Sequence, residues 1–196
     1  MRNTAPLLTA VILLSGGMVI FAADKTPDSA SNSTGYIVEA ALPVGWPAPA
    51  MPGSITDVRI PAHRAAEGPG FQPLFAHISL GGIPMTAPVV MPVADEQGVT
   101  PKKMQFLYPS ATSEPGPLAP GITIVDVAEQ RVLRVTVRGP VSATLMREKI
   151  ALLKAEAETR QLTVCGEPTL CGYNGPAVKA SERTSDICLP VSDMKK

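Results

Sequence analysis

Two stretches of the chain follow the same order of predicted elements: strand, helix, strand, strand. The first runs from ITDVRIPAHRA through a helix at 70–79 to the strands MTAPVVMPV and KKMQFLYPS. The second runs from RVLRVTVRG through a helix at about 141–161 to the strands EPTLCGYNG and SDICLPV. Two such units can pair into one sheet with a helix on each flank. We therefore predict an α+β fold, a duplicated β-α-β-β repeat that forms a distorted antiparallel barrel or sheet, with a cleft at the seam between the repeats.

Apolar spacing supports both helices. In the first, the apolar residues fall at i, i+3, i+4 and i+7 and Gly81 follows as a terminator: Phe71, Leu74, Phe75 and Ile78. In the second, Ser142 is placed to cap a stripe of the same kind, formed by Met146, Ile150, Leu153 and Ala157.

The first 23 residues have the pattern of a secretory signal peptide. A basic start is followed by the apolar run Leu7–Phe21 and by two alanines. An uncleaved membrane anchor is the alternative, although the run is short and interrupted by Ser15-Gly16-Gly17. We expect a periplasmic or secreted protein that meets the membrane only during export.

Residues 24–53 begin rich in serine and end rich in proline, which predicts a flexible linker. Trp46, the only tryptophan, lies between Gly45 and Pro47, and we expect it to hold the end of the linker against the domain. The domain itself is predicted over residues 54–193.

The charge balance argues against a nucleic-acid partner. The chain has 17 basic and 17 acidic residues, and its basic residues cluster only at Lys102-Lys103 and Lys195-Lys196. The sequence also lacks the nucleophile elbow, the phosphate-binding loop, the dinucleotide fingerprint and the His-Glu-x-x-His motif. No catalytic residue is predicted.

Histidine and cysteine are scarce. His63 and His77 are the only histidines, and neither has zinc-ligand spacing to a cysteine or forms Cys-x-x-Cys-His. Outside the cytoplasm a disulfide is possible. If strands 168–174 and 185–191 pair symmetrically, Cys171 lies opposite Cys188; a register slip in the long loop is the alternative.

An ordered set of motifs carries a family resemblance. GFQPLFAHI followed by IPMTAPV resembles the core signature of the SOUL haem-binding protein family. ITDVRIPAHRAA, MQFLYPS, VLRVTVRG, GYNGP and DICLPV are similar to further family segments and occur in the family's order across residues 55–192. One departure is Leu80-Gly81-Gly82, where many members have Gly-x-Asn.

The resemblance implies non-covalent binding of haem b or another tetrapyrrole by a carrier or scavenger that is not an enzyme. The candidate cofactor-binding residues are His77, Phe71, Phe75, Ile78, Met85 and His63. His77, on the flank of the helix stripe, could be an axial ligand of the iron or a boundary histidine. His63 shares strand parity with Asp57 and Arg59, so a solvent-facing position is the alternative to a ligand role.

The other candidates also have a structural alternative. Met85 could supply a thioether or fill the core, and the aromatic and aliphatic residues could face a porphyrin or pack the interior. Four basic residues could meet haem propionates or be solvated on the surface: Arg59, Arg64, Lys102 and Lys103.

Two other functions remain open from the sequence. A hydrolase acting on a flat hydrophobic molecule would need an acid or base in the cleft, for which Glu39, Glu67, Tyr108 and Tyr173 are candidates. A ligand-free interaction domain would have a filled seam, without a pocket of roughly 300 Å³ or more.

Overall fold

The computed structural model describes residues 34–93 and 103–194, which form an α+β fold with nine strands and two helices. The predicted signal peptide and the start of the predicted linker lie outside these residues. The elements are β1 (Ile55–Ile60), β2 (His63–Gly68), α1 (Phe71–Leu80), β3 (Val89–Pro92), β4 (Met104–Leu107), β5 (Thr123–Val127), β6 (Gln130–Arg138), α2 (Ala143–Thr159), β7 (Leu162–Val164), β8 (Thr169–Gly172) and β9 (Thr184–Asp193). Among the described helices, none is long and apolar enough to cross a bilayer.

The strand order confirms the duplicated repeat. The antiparallel sheet runs β1-β6-β9-β8-β3-β4-β2-β5, with β7 added beside β9, and it does not close into a barrel. Read outward from the β8–β3 contact, one half runs β8, β9, β6 and the other runs β3, β4, β2. β8 corresponds to β3, β9 to β4 and β6 to β2, because the two strands of each pair hold the same position in their repeats. The seam between the repeats is therefore the pairing of β3 with β8, where Val89 lies opposite Gly172.

The first predicted strand is divided in two. β1 ends at Ile60 and β2 begins at His63, because Pro61 has no N–H to donate to a ladder. β1 then pairs with β6, whereas β2 pairs with β4 and β5. The break means that side-chain alternation in β1 does not carry over into β2.

The second helix matches its prediction. The Ser142 side chain accepts a hydrogen bond from the Leu145 N–H at 3.2 Å, as expected of an N-cap. The predicted apolar stripe is buried against β6, β7 and β9: Met146, Ile150, Leu153 and Ala157. This packing forms the core of the second repeat.

The first helix is rotated relative to its predicted stripe. Leu74, His77 and Ile78 are its buried residues, whereas Phe71 and Phe75 remain 42% and 47% exposed. The helix packs on β2 and β4, and its His77 side meets Tyr108, which follows β4. Contacts from outside the helix thus decide which face is buried.

The described part of the predicted linker, residues 34–53, packs on the domain. Tyr36 and Trp46 are buried in the same apolar cluster as β2 and β6 residues. Ala41 forms a parallel bridge to Thr86, and the Ala87 N–H donates to the Ala41 carbonyl at 2.9 Å. The expected anchoring role of Trp46 is confirmed, and packed structure extends N-terminal to residue 54.

A buried ion pair connects this N-terminal segment with the sheet. Arg134 on β6 donates to Asp186 on β9 at 2.9 Å, and neither side chain is more than 4% exposed. The guanidinium also donates to the carbonyls of Pro47 and Ala48 at 3.2 and 2.6 Å. Asp186 accepts further bonds, at 2.6 and 2.8 Å, from the hydroxyls of Thr136 and Tyr173.

The last hairpin has a register two residues away from the symmetric one. Cys171 lies opposite Asp186, and Cys188 lies opposite Thr169. Two hydrogen bonds end the ladder in this register: Asn174 Oδ1 accepts the Thr184 N–H at 2.9 Å, and the Tyr173 N–H donates to the Thr184 carbonyl at 3.0 Å. The symmetric register, with Cys171 directly opposite Cys188, is therefore wrong, and the alternative of a register slip is confirmed. Both cysteines are free, buried thiols.

Candidate functional site

The cavity of interest has a volume of about 480 Å³ and lies at the seam. Both repeats and the N-terminal segment contribute to its wall: Glu39, Ala40, Phe71, Met85, Thr86, Ala87, Val89, Met91, Met104, Gly172, Tyr173, Asn174, Gly175 and Pro176. The lining is mainly apolar, and the volume falls within the roughly 300–1,000 Å³ typical of small-molecule sites.

Strand geometry brings three methionines to this cavity. Val89 and Met91 on β3 share one face, while Val90 between them is buried in the core cluster on the other face. Met104 enters from β4, whose register pairs Val90 with Gln105. Met85 precedes β3. Three flexible, polarizable thioethers therefore line one apolar cavity.

The segment before β3 is held by a side-chain hydrogen bond. Thr86 donates from its hydroxyl to the Leu107 carbonyl at 2.6 Å. Thr86 is buried and also forms the bridge to Ala41. This contact fixes the MTAPV stretch between the N-terminal segment and β4.

Phe71 forms the helical side of the wall. Its ring meets Phe106 edge-on at a centroid distance of 5.2 Å. Phe75 stacks on its other side at 5.8 Å but does not line the cavity. Because Phe71 is 42% exposed, it lies where the cavity opens to solvent.

The wall also contains a carboxylate, that of Glu39. Glu39 accepts a hydrogen bond from the Gly175 N–H at 2.7 Å and one from the Asn174 amide at 3.3 Å. Asn174 is itself fixed, since its amide also donates to the Ile37 carbonyl at 2.7 Å. Glu39 is thus held in place at the end of the cavity near exposed Gly175 and Pro176.

Tyr173 contributes to the wall, but its hydroxyl is engaged elsewhere. The hydroxyl donates to Asp186 at 2.8 Å in the buried network. Burial, together with the negative charge of Asp186, raises the pKa of Tyr173 well above its ordinary value. Tyr173 is therefore a neutral wall residue at physiological pH.

Of the six predicted binding residues, Phe71 and Met85 line the cavity. Ile78 is buried in the core beneath α1, and Phe75 packs beside the opening.

His77 is fully buried outside the cavity wall, with Nε2 2.7 Å from the Tyr108 hydroxyl. That hydroxyl also donates to the Pro115 carbonyl at 3.3 Å. The axial-ligand role of His77 thus remains a prediction, and this position does not favour it.

His63 lies inside the sheet and is not solvent-facing. It lines a separate cavity of about 170 Å³ with Trp46, whose ring it meets edge-on at 5.2 Å. Its Nδ1 lies 2.9 Å from the Pro61 carbonyl, which can only accept, so this nitrogen carries a proton. Burial lowers the pKa of His63, and the bond to Pro61 partly opposes this effect.

The basic residues considered for haem propionates have other partners. Arg59 pairs with Glu129 at 3.1 Å and Arg64 with Asp126 at 2.7 Å. Lys103 pairs with Glu67. Lys102 lies outside the described residues. No lysine or arginine is among the described residues that line the cavity.

Sequence reasoning missed several wall residues. Met91 could have been found, because it alternates with Val89 along a strand next to the MTAPV motif. Met104 begins the recognised MQFLYPS segment. Glu39 and Tyr173 were predicted in the cleft only as acid or base candidates of the hydrolase alternative, and both line the cavity. The contact that holds Glu39 comes from a turn more than 130 residues away along the chain.

The comparisons with known proteins agree with this architecture. The model of the SOUL heme-binding protein family matches residues 52–190, well over half of the chain. The chain belongs to the SOUL family. No curated protein matches this SOUL-family chain in sequence.

Solved structures show the same fold at low identity. The C-terminal domain of EcmrR is 16% identical, with a TM-score of 0.58 over 72% of this chain and 99% of that one. A conserved protein and a hydrolase from Listeria innocua are 13% and 14% identical, with TM-scores of 0.55 and 0.53. Each covers 74% of this chain and 94% of its own. At these identities the likeness extends to the fold alone.

The lining fits a tetrapyrrole in its apolar character and in its donor chemistry. The wall is apolar, and among its side chains the thioethers can ligate haem iron. The described residues contain no group of three His, Cys, Asp or Glu that could hold a free metal ion. The charge of the wall is less favourable to haem. The carboxylate of Glu39 is negative and would repel the two propionates of the ligand.

Proposed function

We propose that this SOUL-family protein binds haem or a related tetrapyrrole non-covalently in the cavity at the seam, as a carrier or scavenger outside the cytoplasm. The observation that carries the proposal is the coincidence of family membership with a largely apolar cavity of about 480 Å³ between the repeats. The predicted signal peptide supports the extracytoplasmic location.

Three side chains are candidates to hold the iron of such a ligand. Haem iron accepts thioether sulfur as an axial ligand, and the cavity presents Met85, Met91 and Met104. Phe71 would offer the ligand an aromatic contact at the opening. When bound, haem would supply its own spectroscopic and redox properties, while these residues exclude water and orient the ring.

Binding is favoured over hydrolysis by the contacts of the candidate acids and bases. Neither Glu67 nor Tyr108 lines the cavity. Glu67 pairs with Lys103 and accepts a hydrogen bond from Gln105, and the Tyr108 hydroxyl is hydrogen-bonded to His77. Tyr173 donates to Asp186. Glu39 is the remaining candidate. Within the described residues, no hydroxyl or thiol nucleophile of the wall is hydrogen-bonded to it.

The direct test is a titration of the mature protein with hemin, followed by the shift of the Soret band. We expect a saturable shift at micromolar protein. Gly172→Leu adds a side chain to the wall at a position where a Cβ has only ordinary contacts, 3.6 Å from the Met91 methyl. We expect this variant to weaken binding at least about tenfold by filling the cavity.

Ala155→Leu, which adds the same bulk on the exposed face of α2, is the control and should bind like the wild type. Far-UV circular dichroism and Tm establish that both variants fold. Absence of a shift in the wild type would overturn the proposal, as would equal affinity in Gly172→Leu. Met85→Leu, Met91→Leu and Met104→Leu, which conserve volume, then show which thioether changes the spectrum.

A further inference from the structure

We infer that Glu39 makes the cavity discriminate between planar ligands by charge. A ring whose solvent-facing edge is neutral is bound in preference to the same ring with carboxylates on that edge. This inference rests on the proposed binding function and names the class of tetrapyrrole that the site prefers over haem: one with esterified, amidated or absent acidic side chains.

The position of Glu39 makes this discrimination possible. Its Oε2 is held by the Gly175 N–H at 2.7 Å and by the Asn174 amide at 3.3 Å, so the carboxylate is fixed at the wall. Gly175 and Pro176 beside it are exposed. The carboxylate thus lies where the polar edge of a bound ring would leave the apolar interior.

Among the described residues, none forms an ion pair with Glu39, and no lysine or arginine lines the cavity with it. Glu39 is the charged residue among the described wall residues, and the described basic residues considered for haem propionates pair with Glu129, Asp126 and Glu67. The guanidinium attached to the rim turn is that of Arg183. It donates to the Val178 and Pro176 carbonyls at 2.9 and 3.2 Å and does not line the cavity.

Coulomb's law sets the expected size of the effect. Two unit charges about 4 Å apart in water repel enough to weaken binding roughly fivefold, and more where solvent is partly excluded. Repulsion between exposed charges falls as ionic strength rises, since the screening length at about 1 M salt is only about 3 Å. The preference should therefore be salt-sensitive, unlike one caused by apolar contact.

The experiment compares hemin, with its two carboxylates, and hemin dimethyl ester, in the same cosolvent. Dissociation constants are measured for the wild type, Glu39→Gln and the control Glu129→Gln. The control removes the same charge from an exposed carboxylate paired with Arg59. The ester is also more apolar than hemin, so its affinity differs for reasons other than charge. The test is therefore whether the ratio of the dissociation constants for hemin and for the ester changes between the wild type and Glu39→Gln.

We expect Glu39→Gln to tighten hemin binding about fivefold while the constant for the ester stays within about twofold. Glu129→Gln should leave both constants unchanged, and about 1 M salt should remove most of the difference between wild type and Glu39→Gln. If both ligands bind and the ratio is the same in wild type and Glu39→Gln, this inference alone is overturned. If neither ligand binds the wild type, the proposed function is overturned together with it.

Discussion

Replacing Arg134 with methionine should strongly destabilise the fold. The substitution keeps an unbranched side chain but removes the cation beside Asp186, a carboxylate with no solvent exposure. Asp186 would keep the hydroxyl bonds from Thr136 and Tyr173 at 2.6 and 2.8 Å, yet its negative charge would be uncompensated. The carbonyls of Pro47 and Ala48 would also lose their donor.

Removing one partner of a buried ion pair typically costs about 3–5 kcal/mol. Domains are stable by only about 5–15 kcal/mol, so Arg134→Met should lose a large part of the total. Urea unfolding followed by far-UV circular dichroism measures the change, provided that the m-value is conserved.

Two comparisons make the result interpretable. Arg59→Met breaks an exposed pair, in which the arginine side chain is 71% exposed, and should cost about 0–1 kcal/mol. The double variant Arg134→Met/Asp186→Leu should be less destabilised than Arg134→Met, because it removes the unpaired charge. If Arg134→Met cost no more free energy of unfolding than Arg59→Met, the pair of Arg134 with Asp186 would not behave as a buried, desolvated ion pair.

Two further predictions concern the histidines. Because burial lowers the pKa of His63, the unfolded chain gains a proton on this side chain at a higher pH than the folded chain. The free energy of unfolding should therefore decrease as the pH falls below about 6.5. Urea unfolding at about pH 7.5 and pH 5.5 measures this decrease, which should be smaller in His63→Gln than in the wild type. An equal decrease in the two proteins would contradict the prediction. His77→Phe should lower stability by about 1 kcal/mol through the lost bond to Tyr108 and leave the hemin spectrum unchanged, whereas a changed spectrum would restore His77 as an iron ligand.

The fold could be predicted from the sequence because residue spacing within single elements indicates the strands and helices of each repeat. The stripe of α2 and its Ser142 cap depend on spacing within one helix, and both predictions are confirmed. Similarly, the strand order is a consequence of two equivalent halves pairing at their edges.

Predictions that assumed continuity between elements were less successful. The solvent-facing alternative for His63 relied on strand parity that Pro61 interrupts. For α1, spacing located the helix, but Tyr108 and the chain after β4 cover the His77 side, which spacing cannot show. The hairpin register includes a side-chain contact, Asn174 to the Thr184 N–H, that strand spacing cannot show.

The candidate site was the hardest part to predict. Phe71 and Met85 were identified because they belong to the family motifs. Met91, Met104 and Glu39 become wall residues only when β3 meets β8 and the N-terminal segment crosses the seam. A cavity formed by three distant segments leaves no continuous pattern in any of them.

The pairing of β1 and β5 has a consequence for how the domain is assembled. β1 precedes β2 in the first repeat but pairs with β6 of the second, and β5 precedes β6 but pairs with β2. Each repeat is therefore completed by a strand that belongs in sequence to its counterpart. Neither half should fold when expressed alone, and co-expression of residues 34–109 with residues 119–194 should restore only an associated pair. The ligand binding proposed above then requires both halves together, since the seam is the pairing of β3 from one half with β8 from the other.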